Sequence, residues 1–145
     1  MTDVPRRWSP ASVASPLGGY SHLAETPAGH RLVFIAGQVG NDLDGSLAGN
    51  EVAAQTRQAL GNIEALLTAA GVTPANLMSL QSFLVGAHDI PDFRSELTAA
   101  YHRWFANGAQ GLPGHTLLVV QALAKPELLV EIQGWFTLPP PDESP

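Results

Sequence analysis

The chain has 145 residues, 45% of them hydrophobic and 14% charged, which suits one domain with a real core. It has no cysteine, so disulfides, thiol nucleophiles and Cys-based zinc sites are excluded together. The formal net charge is −6, and the seven Lys and Arg residues are scattered, which argues against nucleic-acid binding.

Residues 1–15 read as an N-terminal extension. The opening "MTDVPRRWSP" carries two arginines but no apolar segment behind them, so it does not read as a signal peptide. No apolar run approaches the roughly 18–20 residues of a membrane span, and a cytoplasmic location without membrane attachment is expected. Tyr20–Ala24 and Arg31–Ala36 read as two strands joined at Pro27–Ala28–Gly29 in a hairpin. The polar stretch "NDLDGSLAGN" is a loop. A helix is expected from about Glu51 to Ala70, with Asn50 as N-cap, Gly71 beyond its end, and Ile63, Leu66, Leu67 and Ala70 as its apolar face.

"LMSLQSFLV" predicts a third strand over Leu77–Val85. Beyond it, His88 and Asp89 suggest a capping turn. A second helix is expected over Ile90–Asn107, with Phe93, Leu97, Ala100, Tyr101, Trp104 and Phe105 inward and Gly108 ending it. Then come a strand over His115–Val120, a turn at Lys125–Pro126, and a last strand over Leu128–Thr137. The order β-β-α-β-α-β-β, with hairpins at both ends, predicts an α+β fold: a mixed sheet with two helices on one face. Several strands are apolar on both sides, so a second copy of the chain is the simplest cover for the other face. Residues 139–145, Pro-rich and acidic, read as an unpacked tail behind a domain over 16–138.

Seven motifs in order resemble the Rid (YjgF) family: "GGYS" at Gly18–Ser21, "AGQVG" at Ala36–Gly40, "DLDGSL", "NIEALLTAAGV" at Asn62–Val72, "DFRSELTAAYHRWF" at Asp92–Phe105, "LPGHT" at Leu112–Thr116 and "LVEI" at Leu129–Ile132. The resemblance implies a chorismate-mutase-like domain, a homotrimer, and small-molecule clefts between subunits. It also implies enamine/imine deaminase-like chemistry. On that pattern Glu131 is the candidate acid/base, while Tyr20, Gly37 and Gln38 line the cleft. His115 stands where the deaminase branch has its substrate-carboxylate arginine, Thr98 where it has an asparagine, Leu117 where a cysteine is common, and Ala36 where a serine precedes "GQ".

Arginine holds a carboxylate through a charged, bidentate fork; a neutral histidine offers a single hydrogen bond. That exchange costs about 2–4 kcal/mol, or some 30- to 1,000-fold in affinity. The expected function is a small-molecule cleft acting on an imine, enamine or related carbonyl compound, and not efficient 2-imino acid deamination. The alternative is a non-catalytic trimeric module that binds a small metabolite or a partner. An endoribonuclease, an activity attributed to some relatives, is disfavoured by the acidic charge. No cofactor or metal is called for. The five histidines show no ligand spacing, and there is no nucleophile elbow or phosphate-cradling glycine loop.

Overall fold

The computed structural model describes residues 3–106 and 111–142. Six strands and two helices follow in chain order: β1 (Arg6–Trp8), β2 (Leu23–Glu25), β3 (Arg31–Gln38), α1 (Val52–Ala69), β4 (Leu77–Leu84), α2 (Ile90–Trp104), β5 (Gly114–Val119) and β6 (Val130–Leu138). The main sheet has the order β3-β6-β4-β5, and β1 pairs with β2 in a separate two-stranded ribbon. The architecture is α+β with both helices packed on one face of a mixed sheet, as expected.

The last strand lies in the middle because its sequence needs cover. Val130, Ile132, Gly134 and Phe136 are buried beneath the helices, alternating with Glu131, Gln133 and Trp135. β6 runs antiparallel to both β3 and β4, while β5 runs parallel to β4 at the sheet edge. Parallel neighbours need a crossover, and α2 supplies the one from β4 to β5.

Both expected hairpins are therefore absent. The Pro27–Gly29 turn does form: the His30 N–H donates to the Pro27 carbonyl, and Gly29 has φ +76°. But it carries the chain from one sheet to the other. β2 is only three residues long, begins at Leu23 rather than Tyr20, and pairs with β1. At the other end, β6 crosses to the far side of β4 instead of folding back on β5. The N-terminal segment is also more than an appendage. Arg7 is buried, and its guanidinium donates to the Ala75 carbonyl at 2.9 Å.

α1 starts one residue later than expected. Glu51, not Asn50, occupies the N-cap, with no side-chain cap. Its buried face is Val52, Gln55, Thr56, Ala59, Leu60, Ile63 and Leu67, whereas Leu66 is exposed. Ile63 and Leu67 are inward as expected, and the stripe continues toward the N-terminus through Gln55 and Thr56, which apolarity alone does not reveal. A single 3₁₀ turn over Ala87–Asp89 precedes α2, and Asp89 makes no side-chain cap there. α2 ends at Trp104; the expected stop at Gly108 lies outside the described residues.

Gln55 explains its own burial. Its amide donates to the carbonyls of Gly49 and Glu127, both at 3.0 Å, and its oxygen accepts from the Leu129 N–H at 2.8 Å. It ties the loop before α1 to the entry of β6. Gln55→Leu leaves those backbone groups without partners, and each unsatisfied buried group costs about 1–3 kcal/mol. The variant is expected to lose about 3 kcal/mol of stability, read as a lowered urea midpoint with an unchanged m-value.

The candidate cleft and its opposite face

The residues singled out in the sequence fall into two groups. His115 on β5 pairs in register with Leu80 on β4, which is fully buried under the helices. Its ring stacks on Phe93 of α2, with centroids 6.0 Å apart and planes at 19°, and its Nε2 shares a 3.0 Å hydrogen bond with the buried Ser82 hydroxyl. It faces the helical layer. Glu131, lying between buried Val130 and Ile132, faces the other side of the sheet. Within one chain these two side chains lie on opposite faces of the sheet.

A cleft of about 510 Å³ opens beside His115. The loop Leu17–Tyr20 forms one wall, Thr116 and Leu117 of β5 another, and Arg94, Leu97, Thr98 and Tyr101 of α2 the third. The loop is held by the Tyr20 hydroxyl, which accepts the Leu17 N–H at 3.3 Å, and by the Ser21 N–H, which donates to the Pro113 carbonyl. Gly111, at φ +67°, lets the strand entry run against β1; a Cβ there would stand 2.8 Å from the Arg7 carbonyl oxygen. Tyr20, His115, Thr98 and Leu117 thus share one cleft, and a second, smaller hollow on the β4 side also reaches Tyr20 and His115.

Gly37 and Gln38 are elsewhere. A Cβ on Gly37 would lie 2.7 Å from the Glu131 carboxyl carbon, so the glycine is the space the glutamate occupies. The Gln38 side chain turns back to the Ala36 carbonyl at 3.1 Å, beside the irregularity in the β3–β6 register.

Burial beneath the helical layer lowers His115 from an ordinary 6.5 to about 4, and the Arg94 cation adds to the effect. The ring is neutral at physiological pH. Tyr101, also in the cleft wall, is pushed up by burial. Arg7 is lowered by burial, and its guanidinium lies 5.0 Å from the Phe105 ring. Arg94 was not among the residues picked out by sequence. Its signal was its position four before Thr98 and one after the buried Phe93, which sets both on the flank of α2 nearest β5.

The other sheet face carries a group of exposed apolar side chains beside its polar ones. Leu32 and Phe34 of β3, Trp135 of β6 and Leu118 of β5 are each 38–53% exposed. Phe34 and Trp135 touch, with ring centroids 4.9 Å apart, and the Gln133 amide donates to the Gln81 oxygen across β6 and β4 at 2.6 Å. Among the described residues, no cluster of His, Asp and Glu is arranged to hold a metal, and no helix is long and apolar enough to cross a membrane.

Fold and cleft define a two-layer α+β domain with its hollow at the edge where a parallel strand meets a crossover helix. The sequence profile of the family described as endoribonuclease L-PSP matches residues 11–136, and the chain belongs to this family, the Rid/YjgF family. It is 33% identical over 120 residues to a RutC family protein of Pyrococcus horikoshii, covering 82% of this chain and 86% of that one. It superposes with TM-score 0.79, at 31% identity, on a Rid-family protein of unknown function, YyfB, from Yersinia pestis, over 92% of this chain and 98% of that one. A YjgF/YER057c/UK114-family protein of Mycobacterium tuberculosis matches with TM-score 0.61 at 26% identity, over 92% and 99%.

His115 ties stability to acid. Its folded value lies below its unfolded one, so the unfolded chain binds the extra proton first. Stability is full above about pH 6.5 and falls as pH drops toward 4, by about 3 kcal/mol at pH 4. Tyr101 of α2, in the same cleft wall, is pushed up by burial and so lies away from that window. His115→Gln, which keeps a partner for Ser82, is expected to flatten the decline between pH 6.5 and 4 in urea titrations.

Proposed function

We propose that this protein is a Rid-family cleft protein that hydrolyses a small imine, enamine or related carbonyl compound, in a site completed by a second copy of the chain. The observation that carries this reading is the split of the candidate residues between opposite sheet faces. Tyr20 and His115 line the cleft, while Glu131 and Gly37 sit on the face whose apolar side chains call for a partner. An assembly of copies through that face, a homotrimer as in the family, covers Leu32, Phe34 and Trp135 and brings one copy's Glu131 toward its neighbour's cleft edge.

In such a site Glu131 acts as general base. It takes a proton from water as the oxygen attacks the C=N carbon; the nitrogen is protonated and leaves as ammonia, and a carbonyl remains. Tyr20 and the neutral His115 shape the wall. His115 cannot hold a carboxylate as an arginine on β5 would, so efficient deamination of free 2-imino acids by a β5 clamp is not expected. The non-catalytic reading keeps the same cleft and drops the proton transfer. RNA cleavage fits poorly with a net charge of −6 and a cleft with one arginine.

Two measurements test this. Trp135→Asp is expected to convert a trimer to monomers in light scattering; an unchanged mass removes the assembly through this face. With imines generated in situ from amines and amino acids, Glu131→Gln is expected to lower turnover at least about 100-fold. Mixing Glu131→Gln with Tyr20→Ala subunits should restore part of the rate, since some sites then receive both native residues. Equal turnover by wild type and Glu131→Gln removes Glu131 as the catalyst, and ligand binding with no turnover by the wild type leaves the binding module.

A further inference from the structure

The chain is acidic, with thirteen Asp and Glu against seven Lys and Arg, yet among the described residues no carboxylate lines the cleft. The charged side chain that does is Arg94, reaching it from α2. The ion pairs of the described residues leave it out: Glu25 takes Arg6, and Glu96, two positions along the same helix, takes Arg57 at 2.6 Å. Arg94 instead stands close enough to His115 to oppose its protonation, across a cleft whose helical wall also carries the hydroxyl-bearing Thr98, one turn on from Arg94. A cation beside a hydroxyl, with no acidic residue among the described residues of the cleft wall, suits a ligand of negative charge.

We propose that the cleft selects ligands carrying a small anionic group, and that Arg94 is the residue that recognises the charge. This rests on the reading of the cleft as the ligand site. It reverses the expectation drawn from His115 on β5: the cation is supplied by the crossover helix instead. Burial keeps the His115 ring neutral, and Arg94 adds to this, since a protonated ring facing it would be a second positive charge in the cleft. The guanidinium fork fits either a carboxylate or a phosphate; the 510 Å³ cleft accommodates either on a metabolite-sized body.

The test uses the full chain and three probes: 2-oxobutanoate, the uncharged 2-butanone, and inorganic phosphate. Binding is followed by histidine-ring NMR shifts in wild type, Arg94→Gln and Arg94→Lys. Arg94 is exposed and outside the core, so both variants are expected to fold. Arg94→Gln should weaken 2-oxobutanoate about tenfold or more and leave 2-butanone unchanged, with Arg94→Lys in between. A loss confined to phosphate supports the anion site and assigns it to phosphate-bearing ligands. Equal binding of every probe by wild type and Arg94→Gln overturns the role of Arg94 while leaving the cleft as a ligand site. If no probe shifts His115, both the anion site and the cleft reading fail.

Discussion

The structure depends on the alternation along β6. Its even-numbered residues from Val130 to Phe136 fill the space under α1 and α2, which obliges Glu131, Gln133 and Trp135 to face outward. A strand with both sides so committed is stable only between two others, and β3 and β4 provide those neighbours. β5 is left with one partner and becomes the edge, and the cleft exists because that edge, with α2 and the Leu17–Tyr20 loop, encloses space. A slip of one residue in β6 would bury Glu131 and expose Ile132, destroying the core and the site together.

Packing and site geometry overlap in this frame. His115 is a packing residue, stacked on Phe93 and bonded to Ser82, whose ring is also a neutral wall of the cleft. Gly37 has no chemistry of its own; its contribution is the absence of a side chain where the Glu131 carboxylate lies. Arg7 links the ribbon to the domain by its bond to Ala75 and its contact with Phe105, next to the helix that carries Arg94. Stability and binding chemistry share residues here, so substitutions near the cleft are to be judged against both.

Much of the fold was legible in the sequence, for identifiable reasons. Helical periodicity located α2, with Phe93, Leu97, Ala100 and Tyr101 inward, and the order of elements gave the class. Strand pairing was not legible, because β2 next to a Pro-Gly turn looks the same whether its partner follows or precedes it. The arginines of "PRRW" gave no hint that one is a strand residue under cover. At the site, linear motifs gathered Tyr20, His115, Gly37 and Glu131 into one list without saying on which face each lies. Arg94 was missed because a motif comparison asks what stands at a given position, and a cation from a neighbouring element answers the same chemical need from another place.

The central position of the last strand also sets the order of events during synthesis. β3 finishes at Gln38, but its partner β6 begins at Val130, more than 90 residues later. At about 5–20 residues per second, the ribosome leaves the apolar β3 without a ladder for several seconds. α1, α2 and the β4–β5 pair can form meanwhile, but the sheet cannot be completed until the C-terminal segment emerges. Pairing across so long a separation slows closure. The nascent chain thus spends its vulnerable interval with two strand groups waiting for the segment that joins them.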